Sequence, residues 1–259
     1  MQRRPRLTGT SAPRGDGRAC TKLLGNETAR WRLIAEPLTP EAFALLRVDH
    51  IRIAHLPPLS FTVASGECLS VEGPSGTGKT RLLRAIADLD PVNGQVFVDG
   101  GERREMAAHT WRRWVRYVSA EAGWWGETAR THLPSLPRVG RLIDALGLDR
   151  GSLDRPIRQL STGERPRLAL IRAIVDEPRV LLLDEPTAAL DADTAALTDE
   201  VIRFETLAGR CVVLVSHNPV EVQRLAHARL ILAADPARDT PTATQISTVR
   251  PTPTRNASA

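Results

Sequence analysis

The feature that most constrains this chain is an eight-residue run, Gly73-Pro74-Ser75-Gly76-Thr77-Gly78-Lys79-Thr80, set between a short apolar segment and a stretch with helical periodicity. Its glycines let the backbone curl so that successive N–H groups converge on one point, and a helix starting immediately beyond adds the positive end of its dipole. Upstream, Cys68–Glu72 reads as a strand; downstream, residues 78–89 read as the helix, with Leu82, Leu83, Ile86 and Leu89 at helical spacing. Strand, curl and helix in that order form a cradle for phosphate, in which Lys79 reaches the β and γ phosphates and the Thr80 hydroxyl ligates Mg²⁺. All eight residues are therefore candidate nucleotide-contacting positions. Of the 35 basic side chains only Lys22 and Lys79 are lysines. A compact ammonium thus stands at the loop, where a planar guanidinium fits poorly.

Short apolar strands and helical patterns alternate through the middle of the chain, an arrangement that predicts an α/β sheet with crossover helices. Strands are expected at Leu59–Val63, 95–98, 116–119, 179–184, 211–216 and 229–232, with a turn at Pro91-Val92-Asn93-Gly94 before the second of these. Residues 120–160 hold helical pieces, notably 138–146, and read as an inserted helical subdomain. Residues 1–44 mix Arg, Gly, Pro, Thr and Ser without apolar periodicity, and 236–259 are rich in Pro and Thr, so both ends are expected to be unstructured. The formal charge of +5 does not point to nucleic acid, because residues 1–40 alone carry five more basic than acidic groups and the remainder is balanced. Cys20, Cys68 and Cys211 are odd in number and widely spaced, which supports neither a disulfide framework nor a zinc site. No apolar run approaches the roughly 18–20 residues that span a bilayer, and the Arg-rich start lacks the apolar core of a secretory signal. A bacterial or similar cytosolic setting is expected.

Two further clusters bear on chemistry. Residues 180–185, Val-Leu-Leu-Leu-Asp-Glu, form an apolar strand that ends in two adjacent carboxylates. A buried strand has no structural use for such a pair, so Asp184 is expected to hold Mg²⁺ and Glu185 to act as general base on the attacking water. Leu160-Ser161-Thr162-Gly163-Glu164 precedes a helical pattern, and Ser161-x-x-Glu164 has the spacing of a capping box.

With Asp184-Glu185-Pro186-Thr187 and Ala189-Leu190-Asp191 downstream, residues 160–170 resemble the signature sequence of ABC transporter ATP-binding subunits, and the resemblance covers roughly residues 46–233. It implies the ABC ATPase domain of the P-loop NTPases: a RecA-like core sheet, a small antiparallel β-subdomain and a short helical subdomain. The corresponding limits are an N-terminal extension over 1–44, the ATPase domain over 45–235 with its helical part at about 120–172, and a tail over 236–259. The resemblance also implies that Ser161, Thr162, Gly163 and Glu164 meet nucleotide held by a second copy, that Asp191 is among the nucleotide-binding residues, and that His217 contacts the γ-phosphate. ATP and Mg²⁺ are the implied cofactors, and an integral membrane permease and a second identical chain the implied partners. The implied location is the cytoplasmic face of a cell membrane. Within the family, residues 87–91 and 117–128 look most like the short ATPases of Fet-type iron-export systems.

The chain departs from the family pattern in several places. Ala120 stands where a glutamine is usual, which leaves Glu121 or a water to replace the lost oxygen. Thr162 replaces a glycine, Pro166 falls early in the signature helix with a mild kink expected, and no aromatic side chain lies between Leu46 and Pro58 to stack on adenine, which leaves His50 or His55. Trp124 and Trp125 sit in the segment that by resemblance docks the permease, with core packing as the alternative. These departures keep open an ATP-gated subunit with negligible turnover. A family member acting on DNA or ribosomes is expected to carry a long coiled-coil insertion or a second cassette, and this sequence shows neither.

Overall fold

Strands β1 (Leu46–Arg52), β2 (Leu59–Val63), β4 (Asn93–Val98) and β5 (Gly101–Glu102) form an antiparallel sheet in the order β2-β1-β4-β5. A second sheet runs β10-β9-β3-β8-β7-β6, from β3 (Cys68–Glu72), β6 (Val115–Val118), β7 (Val180–Asp184), β8 (Cys211–Val215), β9 (Ala228–Asp235) and β10 (Thr240–Thr248). Its pairings are parallel except β10 on β9. The helices are α1 (Lys79–Ile86), α2 (Ala108–Trp114), α3 (Pro137–Ala145), α4 (Glu164–Ile174), α5 (Ala192–Leu207) and α6 (Pro219–Leu225). This computed structural model describes residues 46–53, 56–235 and 240–248; Cys20, His55 and the N-terminal extension lie outside them.

The parallel strands are buried on both faces, which is why β7 and β8 read as unbroken apolar runs rather than alternating ones. Val180, Leu182, Cys211, Val213 and Val215 face one core, shared with α1 and the antiparallel sheet. Leu181, Leu183, Val212 and Leu214 face the other, built on α3, α4 and α5. The two small cysteines, Cys68 and Cys211, are buried within β3 and β8. Residues 119–179, between β6 and β7, contain α3 and α4 and no strand.

Two expectations need adjusting, and two further elements bear comment. Helix α1 stops at Ile86 rather than near Leu89, because Asp88 takes a left-handed conformation (φ 59°). The Leu89 N–H then bonds the Arg84 carbonyl at 2.9 Å and the Asp88 N–H the Ala85 carbonyl at 3.3 Å, the pattern of a Schellman ending. The tail expected to be unstructured contains β10, whose Thr and Ile residues suit an edge strand and whose Pro241 is tolerated there. Strand β1 had no forecast of its own, because its alternation is broken at His50 (φ 49°), where the register with β2 and β4 shifts. Helix α4 persists through Pro166, as expected, although the ladder already begins with the Arg165 N–H on the Ser161 carbonyl at 3.3 Å and the proline forgoes the next bond.

Candidate functional site

The site lies at the carboxyl ends of β3, β7 and β8, where open α/β sheets bind ligands. Gly73 leaves β3 at φ 148° with its Cα pressed on the chain, so that a β-carbon there would collide with the Leu232 carbonyl; Gly76 and Gly78 follow at φ 81° and 100°. A loop of three such residues needs glycine. The Thr77 hydroxyl closes it by donating to the Pro74 carbonyl at 2.9 Å. Lys79, 7% exposed at the start of α1, donates from Nζ to the carbonyls of Gly73 (2.7 Å) and Pro74 (3.0 Å). Burial lowers the Lys79 pKa, opposed by the negative charges of Glu185 and Asp184, which places both acids within electrostatic reach of the ammonium. Pro74, Ser75, Gly76 and Thr80 are exposed.

Asp184 ends β7 opposite Val215 of β8, so the residues beyond them, Glu185 and His217, emerge side by side. Glu185 is held at φ 52°, an uncommon conformation for a residue with a side chain, and its N–H bonds the Val215 carbonyl at 2.9 Å. Its carboxylate lies 3.4 Å from His217 Nε2 and accepts from the His217 backbone N–H at 3.3 Å. The structure thus brings together the phosphate loop, Asp184, Glu185 and His217. For Mg²⁺ the donors suit: a hydroxyl (Thr80) and a carboxylate (Asp184), all oxygen, with no set of three or more His, Cys, Asp or Glu ligands among the described residues. A hard cation that keeps waters and binds through one carboxylate plus phosphate requires no fuller protein cage.

The signature residues form a separate group. The Ser161 N–H bonds Glu164 Oε2 at 2.8 Å and the Glu164 N–H bonds Ser161 Oγ at 3.1 Å, which is the capping box the spacing predicts. Glu164 also pairs with Arg155, and Gly163 sits against Leu190, where a β-carbon would lie 3.2 Å from Leu190 Cδ2. None of these hydrogen bonds runs to residues 73–80 or to Glu185; Ser161 and Thr162 are exposed. Asp191 caps α5, accepting from the Thr194 N–H at 3.0 Å and its hydroxyl at 2.8 Å, and these bonds hold its carboxyl below the usual range.

Glu121 is exposed, and it is its backbone carbonyl that accepts from Ser119 Oγ at 2.5 Å. What β6 delivers to the acids instead is Tyr117, whose hydroxyl donates to Asp184 Oδ2 at 3.0 Å. Sequence reading missed this residue; the signal was its place in β6, one position before the end of a strand that pairs with the acid-tipped one. His50 is exposed at its bulge. The tryptophans divide: Trp124 packs against the helical core, whereas Trp125 is 81% exposed. The Arg172 guanidinium lies 4.5 Å from the Trp124 ring centre and 5.1 Å from that of Trp125, and His132 meets both rings edge-on. Trp125, His132 and Arg172 line a surface cleft with Arg116 and Tyr117.

A family model described as ABC transporter matches residues 56–188. The chain is 34% identical to the sn-glycerol-3-phosphate import ATP-binding protein UgpC of Chromohalobacter salexigens, over 73% of this chain and 56% of that protein. It is 33% identical to an ABC transporter ATP-binding protein of Methanocaldococcus jannaschii, over 72% of this chain and 73% of that protein. It is also 33% identical to Protein STAR1 of rice, over 66% of this chain and 53% of that one. The chain therefore spans little more than half the length of several of these relatives. A solved bacterial Atm1-family ABC exporter with ATP bound shares the fold, with a TM-score of 0.67 at 20% identity, covering 80% of this chain and 39% of that one. The family match over residues 56–188 and these relatives, with phosphate loop, capped signature helix and acid-tipped strand following one another along the chain on this fold, place the chain in the ABC transporter family.

Proposed function

We propose that the chain is the ATP-binding and ATP-hydrolysing subunit of an ABC transporter, acting as a homodimer that energises a separate integral membrane permease from the cytoplasmic face. The observation that carries the reading is the Glu185 carboxylate held against His217 beside Lys79. Lys79 and the loop N–H groups bind and orient the β and γ phosphates. Glu185 takes the proton of the attacking water, and His217 supports the γ-phosphate and holds that carboxylate in place. Mg²⁺, held by Thr80 and Asp184 when bound, neutralises charge developing on the phosphate oxygens. The exposed, capped start of α4, with Ser161 and Thr162, faces the nucleotide of the second copy, as does Asp191 at the cap of α5.

Trp125 and the cleft beside it form the surface for the permease, an exposed aromatic anchor with cations at its edge. Among the described residues no helix is long and apolar enough to cross a membrane, which fits docking rather than insertion. Export of a metal such as iron is the narrower reading of the cargo, supported by the sequence of residues 87–91 and 117–128. Ala120 and Thr162 favour, as the second reading, an ATP-gated subunit with negligible turnover. Glu185→Gln separates the two: a motor loses nearly all phosphate release, by about 10²-fold or more, while retaining ATP. If the wild-type chain with its permease releases no phosphate above the Glu185→Gln level, the gate reading replaces the motor.

A further inference from the structure

Tyr117 is the chain's single tyrosine, and it pairs with Leu182 across the parallel β6–β7 ladder. Side chains alternate along a strand, so Tyr117 shares a face with Leu182 and with Asp184 two residues further on. Such a diagonal neighbour lies roughly 7–8 Å away, within reach of a long aromatic side chain. The phenol reaches it, donating to Asp184 Oδ2 at 3.0 Å, and among the described residues no other hydrogen bond to this carboxylate is made. Asp184 is 4% exposed, so water competes little for the bond.

We propose that Tyr117 is a positioning residue for the magnesium site: it fixes one oxygen of Asp184 and leaves the other to the water shell of the metal. The same segment that has Ala120 in place of glutamine thereby keeps a polar link to the metal, from a residue three positions earlier. The inference rests on the reading of Asp184 as the magnesium-side acid. A partner of a ligand group that locks its orientation typically affects metal affinity about 10–100-fold.

The test uses the full chain in a Glu185→Gln background, so that bound ATP persists, with ATP titrated in EDTA and Mg²⁺ titrated at saturating ATP. Tyr117→Phe is expected to leave ATP affinity in EDTA within about twofold and to raise the half-saturating Mg²⁺ concentration about tenfold. Asp184→Asn is measured in parallel. If it shifts the Mg²⁺ dependence and Tyr117→Phe does not, the inference is overturned and the site reading stands; if neither shifts it, the reading of Asp184 falls and the inference with it. Weakened ATP binding in EDTA by Tyr117→Phe, with no added effect of Mg²⁺, marks a merely structural role and also overturns it. A second readout avoids the variant altogether: 3-fluorotyrosine gives one ¹⁹F resonance, expected to move when Mg²⁺ is added to the ATP-loaded chain and to stay still with Asp184→Asn. A resonance that ignores Mg²⁺ in the chain with Asp184 intact is the contrary result.

Discussion

Glu221, near the start of α6, is 1% exposed behind the Glu185–His217 pair, with Ser216 and Thr187 beside it and Asp199 and Glu185 adding negative charge. Burial is the main cause that raises its pKa to about 7 from an ordinary 4.5, while the two hydroxyl groups oppose the rise. The folded chain therefore holds this proton more tightly than the unfolded one. That contribution to stability is complete below pH ~4.5 and is lost as pH rises through ~7. Glu221→Gln, neutral at every pH, should flatten this dependence: melting temperatures of variant and wild type converge near pH 5, and the variant is the more stable at pH 8, by on the order of 2–3 kcal/mol. Equal stability at pH 8 would mean that the buried carboxyl is solvated in a way its surroundings do not suggest. Lys79, Asp184 and Glu185 were legible as candidates in sequence because each lies at or just beyond the end of an apolar strand, and parallel strands deliver their ends to one edge; His217 was named only through the family resemblance. Tyr117 and Glu221 were not legible, since their roles depend on strand register and on what a short helix buries, neither of which spacing encodes.

Among the elements, α3, α5 and the entry to β8 are tied by one buried ion cluster. Glu205 near the end of α5 is 0% exposed; its carboxylate accepts from Arg138 of α3 at 3.1 Å and lies 2.7 Å from Arg210, itself 0% exposed. Arg138 also pairs with Glu177 in the link between α4 and β7. Replacing Glu205 with Gln leaves two buried guanidiniums without their shared counter-charge, and unfolding in urea is expected to register a loss of roughly 3–5 kcal/mol. A loss below about 1 kcal/mol would show that the cluster behaves like a surface pair. No periodicity announces such a cluster, as its members come from four places in the chain. The strands of the parallel sheet were readable because burial on both faces makes them uniformly apolar. Strand β1 was not, because the bulge at His50 shifts its alternation, and β10 was not, because Pro and Thr in a tail weigh toward disorder until an edge such as β9 offers its hydrogen bonds.

At the scale of the whole molecule, two groups of functional residues sit apart on one chain. The phosphate loop and the Glu185–His217 pair occupy the ends of β3, β7 and β8, while the Ser161–Glu164 cap opens α4, with no hydrogen bond among the described residues joining the groups. Under the proposed function, the exposed Ser161 and Thr162 at this helix start face the nucleotide of a second copy. This division makes the central claim, that each nucleotide is shared by two copies, directly measurable by mixing two inactive variants. Lys79→Ala removes the loop's cation, and Ser161→Arg blocks the helix tip. In a mixed dimer both defects fall on one composite site and the other site is intact, so equal mixing should restore about one quarter of wild-type ATP turnover. If the mixture stays as inactive as either variant alone while the two chains are shown to associate, each chain's loop and helix tip do not serve a partner's nucleotide, and the composite-site account is contradicted.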